Sequence, residues 1–85
     1  MLIVILTCSF ILRQDALVSL KVYNTLGQEV ATLANKELFT EGVNEVTFEA
    51  HNLPSGVYFY RIVAEGLDEE APTNFTQVKK MLLLK

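Results

Sequence analysis

Along most of the chain every second residue is apolar. In LVSLKVYN, Val18, Leu20 and Val22 alternate with Ser19, Lys21 and Tyr23, the period of two that turns one face of a strand toward a core. NEVTFEA repeats the pattern, with Val46 and Phe48 set against Glu45, Thr47 and Glu49. VYFYRIVAE is aromatic and β-branched almost throughout. Tyr58, Tyr60, Ile62 and Ala64 fall on one face, and Val57, Phe59, Arg61 and Val63 on the other. A strand with so little polar surface belongs in the middle of a sheet, covered on one side and amphipathic on the other. MLIVILTCSFIL is expected to open the fold as a β-rich first strand, since Ile3, Val4 and Ile5 are β-branched. TQVKKMLLLK is expected to close it.

Turn signals separate these runs. NTLGQ supplies Asn24 and Gly27, which tolerate positive φ, so Leu17 to Ala34 is predicted as a β-hairpin with QEVATLA returning. A helix over Gln28 to Leu38 competes, because the residues there are fair helix formers. A turn is expected at Glu41-Gly42, and HNLPSG interrupts the chain with Pro54 and Gly56. GLDEEAPTNF is the one long loop, with a solvated acidic tip. Short strands with turns every eight to twelve residues describe an all-β chain, an antiparallel immunoglobulin-like β-sandwich of about seven strands. Its predicted core holds Val18, Leu20, Val22, Val46, Phe48, Tyr58, Tyr60 and Ile62. Leu53 and Pro54 followed by Tyr58 fit the tyrosine corner of such sandwiches, in which the phenol bonds back to nearby backbone.

Composition narrows the function classes. With 85 residues there is room for one domain, and the 51% hydrophobic fraction suits a packed core. A net charge of -3 and the absence of a basic stripe exclude a nucleic-acid binder. The single cysteine, Cys8, has no internal disulfide partner, and with the single histidine, His51, it makes neither a multi-ligand metal site nor an oriented nucleophile. Asp68, Glu69 and Glu70 have no further oxygen ligands at calcium-loop spacing. Asn74-Phe75-Thr76 matches a glycosylation acceptor, a motif short enough to recur by chance. The apolar start is too short to span a bilayer and has neither the basic flank nor the cleavage site of a secretory signal. No catalytic constellation, metal site or cofactor motif is visible, so the chain reads as a non-enzyme without cofactor.

Three blocks in register, VSLKVYNTLGQEVATL, EVTFEAHNLPSGVYFYRIVAEG and KKMLLLK, make the chain similar to the C-terminal sorting domains of the type IX (Por) secretion system. The resemblance runs from Leu12 to Lys85, so residues 1–11 stand before it as an N-terminal apolar segment, a first or edge strand, and residues 12–85 form the sorting domain. It implies an immunoglobulin-like sandwich that directs a cargo, normally N-terminal to it, across the outer membrane by way of the periplasm. The cargo would be secreted or held at the cell surface, and the partners would be the translocon and a sortase-like surface protease. Asn24 and Gly27 match the family's first hairpin turn, and Leu53, Pro54, Gly56 and Tyr58 its second motif. Lys79, Lys80, Met81, Leu82, Leu83, Leu84 and Lys85 match the closing strand on which recognition depends.

Two departures accompany the match. MLIVILTCSF replaces the family's Asn/Pro-rich lead-in, so the chain is expected to be a C-terminal fragment, and its apolar start is expected to pair between copies into a homo-oligomer. The loop from Gly66 to Phe75 is also longer than the family's usual connection. The rival expectation is an immunoglobulin-like spacer or adhesive module without a sorting role, like the immunoglobulin-like domain of the flagellar hook-capping protein. In the closing strand, either Met81 with Leu83 or Leu82 with Leu84 must face outward, and the run of apolar residues does not say which.

Overall fold

The computed structural model describes residues 5–50 and 52–84. Six strands follow one another: β1 (Ile5–Leu12), β2 (Ala16–Tyr23), β3 (Glu29–Phe39), β4 (Gly42–Glu49), β5 (Gly56–Gly66) and β6 (Asn74–Leu83). They form two antiparallel sheets, one of order β1-β4 and one of order β3-β2-β5-β6. This is the immunoglobulin pattern, with β1 and β4 in the places of strands B and E and β3, β2, β5 and β6 in those of C′, C, F and G. Among the described residues no strand takes the A or D place, so the smaller sheet has two strands facing four.

The expectation of about seven strands becomes six, and the strand begun by QEVATLA runs on past Ala34 to Phe39. β3 stays paired with β2 over its whole length by bending. The pairing shifts register between Val18 and Leu20, between Leu20 and Lys21, and between Val22 and Tyr23, and Lys36 adopts φ 50°. Such bulges add twist without ending a strand. The competing helix over Gln28 to Leu38 does not form; the segment lies within β3 except for Gln28, which closes the turn before it.

Period-two alternation is visible in the burial itself. Val18, Leu20 and Val22 of β2 and Tyr58, Tyr60, Ile62 and Ala64 of β5 are buried. β1 contributes Cys8, Phe10 and Leu12 from above, with the Phe10 and Phe39 rings edge to face at 5.4 Å. Val46 and Phe48 face the core but stay half-buried, because β4 lies at the rim of the shorter sheet. β1 is therefore part of its own sandwich. β5 lies between β2 and β6, the central strand its composition predicts.

Two turns set the strand ends. Asn24 opens the β2–β3 turn, its Oδ1 accepting the backbone N–H groups of Leu26 and Gln28 at 3.0 Å each, while Gly27 supplies φ 81° at little steric cost. Gly42, at φ 108°, starts β4.

Candidate functional site

β6 follows from β5 through the loop over residues 67–73, and Gln14 shapes that loop. The Gln14 amide donates to the carbonyl of Ala71 at 3.0 Å and to the Thr73 hydroxyl at 3.1 Å. Its oxygen accepts from the backbone N–H of Asp68 and Thr73. Asp15 beside it accepts the N–H of Leu67 on its carbonyl and that of Glu41 on its carboxylate. One corner between β1 and β2 thus holds the long β5–β6 loop and the two-residue β3–β4 connection. A Cβ at position 66 would collide with the Gln14 side chain and the Thr73 carbonyl, so the close approach depends on glycine there. Nothing in the patterning singled out Gln14, which sits between Arg13 and Asp15 as one of three polar residues in a short connection.

From that anchor β6 pairs with β5 without a register break, from Glu65↔Asn74 to Gly56↔Leu83. Opposite residues share a face, so the buried set of β5 fixes the phase of β6. Tyr58 faces Met81 and Tyr60 faces Lys79, which turns the odd-numbered residues inward. Leu83 is 0% exposed, whereas Leu82 is 58% and Leu84 73% exposed. The outward pair is Leu82 with Leu84. Val78 extends the same stripe at 58% exposure, and Lys80 stands between Val78 and Leu82 on that face. On the opposite face Met81 and Phe75 pack against the core as half-buried residues.

Lys79 points inward, toward the place that strand A would take. Its Nζ donates to the carbonyl of Ser9 at 3.1 Å and so reaches the free edge of β1. Cys8 is buried beneath it. Burial pushes the thiol from 9.0 up to about 11, with Lys79 pulling weakly the other way. Burial likewise raises the Tyr60 phenol, Cys8 adds to the shift, and the Ser9 backbone draws it partly back. An open cleft of about 400 Å³ continues this seam, lined by Ile11, Leu12 and Ala16 on one side and Phe75 and Gln77 on the other.

The remaining motif residues support the strand from its far end. The Tyr58 hydroxyl donates to the carbonyl of Pro54 at 2.7 Å, the bond of a tyrosine corner at the start of strand F. Leu53 packs against the core beside it. The Asn24 turn lies at the end of β2 and is not part of β6. On the outer face, Lys21 and Glu29 form an ion pair at 3.2 Å, and Arg61 sits 5.4 Å over the Tyr23 ring. The Lys21 hydrogen bond, and then that from Thr32, hold the Glu29 carboxyl below its usual range. Asp68 caps the N–H of Glu70, and the Asn74 oxygen accepts from Gly66, so both have structural work in the loop. His51, Lys85 and the first four residues lie outside the described residues.

Residues 4–71 of the 85 match the family described as the secretion system C-terminal sorting domain. The chain belongs to this family. It carries a sorting-signal role in type IX secretion, which marks proteins exported across the outer membrane to the cell surface or the medium, and the family is not one of enzymes. The matched span takes in β1 and stops short of β6. Comparison with curated proteins and with solved structures found no match.

Proposed function

We propose that this sorting domain is read by the type IX translocon through β6 and the residues after it, Lys79 to Lys85, with a sortase-like surface protease acting on the delivered protein and the cargo lying N-terminal to the sandwich. The outward stripe of Val78, Leu82 and Leu84 supports this reading. Stability asks only that the inward residues of an edge strand be apolar, and contiguous apolar surface beyond that marks interaction sites. Lys80 within the stripe adds a charge that fixes register. Leu83 and Met81 act indirectly, by holding the strand down.

The test uses the whole 85-residue chain, since β1 supplies Cys8, Phe10 and Leu12 to the core, fused to a periplasmic reporter in a host with the secretion system. Leu82→Ser with Leu84→Ser is expected to leave the sandwich folded and the reporter trapped in the periplasm. Normal surface delivery of the double variant would remove β6 from recognition, and the spacer-module reading would then lead for this strand.

A further inference from the structure

Among the described residues the sandwich has four strand edges, and three are guarded. β3 is bent by three register shifts and a positive φ at Lys36. β1 has its Ser9 carbonyl occupied by Lys79. β4 exposes Glu45, Thr47 and Glu49 in alternation. Bulges, charges and covering groups are the devices by which native sheets avoid adding foreign strands. β6 is different. It is ten residues long and pairs with β5 without a shift, and its far side has no strand among the described residues. Beyond Lys80 its edge is Met81, Leu82, Leu83 and Leu84. Its two charges leave that apolar end open, since Lys79 is turned to the Ser9 carbonyl and Lys80 stands on the outer face. A regular edge with an apolar end is open to strand addition.

We infer that β6 is recognised by strand addition: an extended segment of a partner protein pairs along its free edge, with apolar side chains beside Val78 and Leu82 and an acidic one beside Lys80. The inference rests on β6 being the recognised strand and names the chemistry of what reads it. The main-chain bonds would give affinity, and the outer-face neighbours would give specificity. Reading every second residue, the partner pattern is apolar, acidic, apolar, the same in either strand direction.

A second copy of this chain fits the edge poorly. In a symmetric antiparallel pair, opposite residues share a face, so each register can be examined in turn. Setting Leu82 opposite Val78 of a second copy also sets Lys80 opposite Lys80, and like charges directly across are destabilising. Centring the pair on Val78 leaves Leu82 opposite Asn74. Centring it on Lys79 sets that lysine opposite itself, centring it on Met81 sets Lys80 opposite Leu82 with no charge to pair it, and centring it on Leu82 confines the described overlap to Lys80–Leu84. An acidic partner strand meets none of these conflicts.

The probe is the capped heptapeptide acetyl-Thr-Val-Thr-Glu-Thr-Val-Thr-amide, titrated into the full chain while amide hydrogen exchange is followed along β6. Alternate β6 amides, those not bonded to β5, should slow by about tenfold or more on binding, a modest free-energy gain. Two N-methylated versions, each blocking one alternate set of peptide amides, should separate. One should lose binding and the other keep it, because only one set faces β6. Binding of both, or of neither, or binding without alternating protection, would overturn strand addition. Leu82→Lys adds an edge guard at an exposed site and should weaken the peptide at least about tenfold with its melting temperature unchanged. Lys80→Glu should reverse the preference toward the peptide with lysine at its centre; an unchanged preference would overturn the acidic partner. If the same amides are already protected in the chain alone at high concentration and lose protection on dilution, the occupant is a second copy and the partner-strand proposal fails. The assay involves no secretion, so strand addition can fail while sorting still depends on Leu82, and the reverse.

Discussion

Replacing Leu83 by alanine tests the phase of β6 directly. The side chain is 0% exposed and packs on the face shared with Tyr58 and Tyr60. Large-to-small changes at buried leucines cost roughly 2.7–5.0 kcal/mol, the lost transfer energy plus the cavity left behind. Leu83 is the last residue of its strand, where the backbone can relax into part of the cavity, so a value near the lower end, about 3 kcal/mol, is expected. A domain of 85 residues is stable by roughly 4–13 kcal/mol, so the change removes a large share. At roughly 4–8 °C per kcal/mol for this size, Tm should fall by about 12–24 °C. Leu82→Ala is the control. At 58% exposure it should cost less than about 1 kcal/mol. Urea unfolding followed by far-ultraviolet circular dichroism separates the two. Equal losses, or a larger loss for Leu82, would mean that β6 is slipped by one residue. Such a slip would exchange its faces, and the assignment of Val78, Leu82 and Leu84 to the surface would be wrong.

Other changes test other parts of the fold. Tyr58→Phe keeps the ring and removes the bond to Pro54, so it should cost about 1 kcal/mol against roughly 3–5 for Tyr58→Ala; equal midpoints for wild type and Tyr58→Phe in urea would deny the corner a role in stability. Asn24→Ala removes the acceptor of two backbone N–H groups and should cost about 1 kcal/mol, seen as a lower thermal midpoint. Glu29 has a carboxyl lowered in the fold, so its contribution is present above the ordinary carboxylate value near 4.5 and is lost as pH falls through the depressed value. The wild-type urea midpoint should therefore drop further than that of Glu29→Gln on acidification below that value, and parallel curves would refute it. Lys79→Met uncovers the Ser9 carbonyl on the β1 edge and should raise self-association in sedimentation velocity; an unchanged monomer fraction would show that Lys79 does not guard that edge.

The alternating segments were legible because their polar residues mark the phase. Ser19, Lys21, Glu45, Thr47 and Arg61 show which way β2, β4 and β5 face, and Asn24, Gly27 and Pro54 show where they stop. β6 hides its phase because Met81 to Leu84 contain no polar residue; only pairing with Tyr58 and Tyr60 reveals it. The length of β3 was obscured for the opposite reason. Asn35 and Lys36 look like an interruption, yet the strand absorbs them by shifting register against β2. Val46 and Phe48 face inward as their alternation predicts, but their partial exposure follows from a two-stranded second sheet, which no local pattern encodes. The Lys79 contact with Ser9 spans seventy positions, and a lysine beside another lysine looks like surface charge until the sheets are stacked.

The buried cysteine has a consequence for redox chemistry during export. A protein bound for the cell surface meets an oxidising compartment, where free thiols are captured into mixed disulfides. Attack requires thiolate and access. In the folded sandwich Cys8 has neither, being enclosed and held protonated to about pH 11. Cross-linking through this residue can therefore occur only in chains whose first strand has come away from the core. A disulfide-linked pair of these chains would be a covalent record that the domain had opened on its way out.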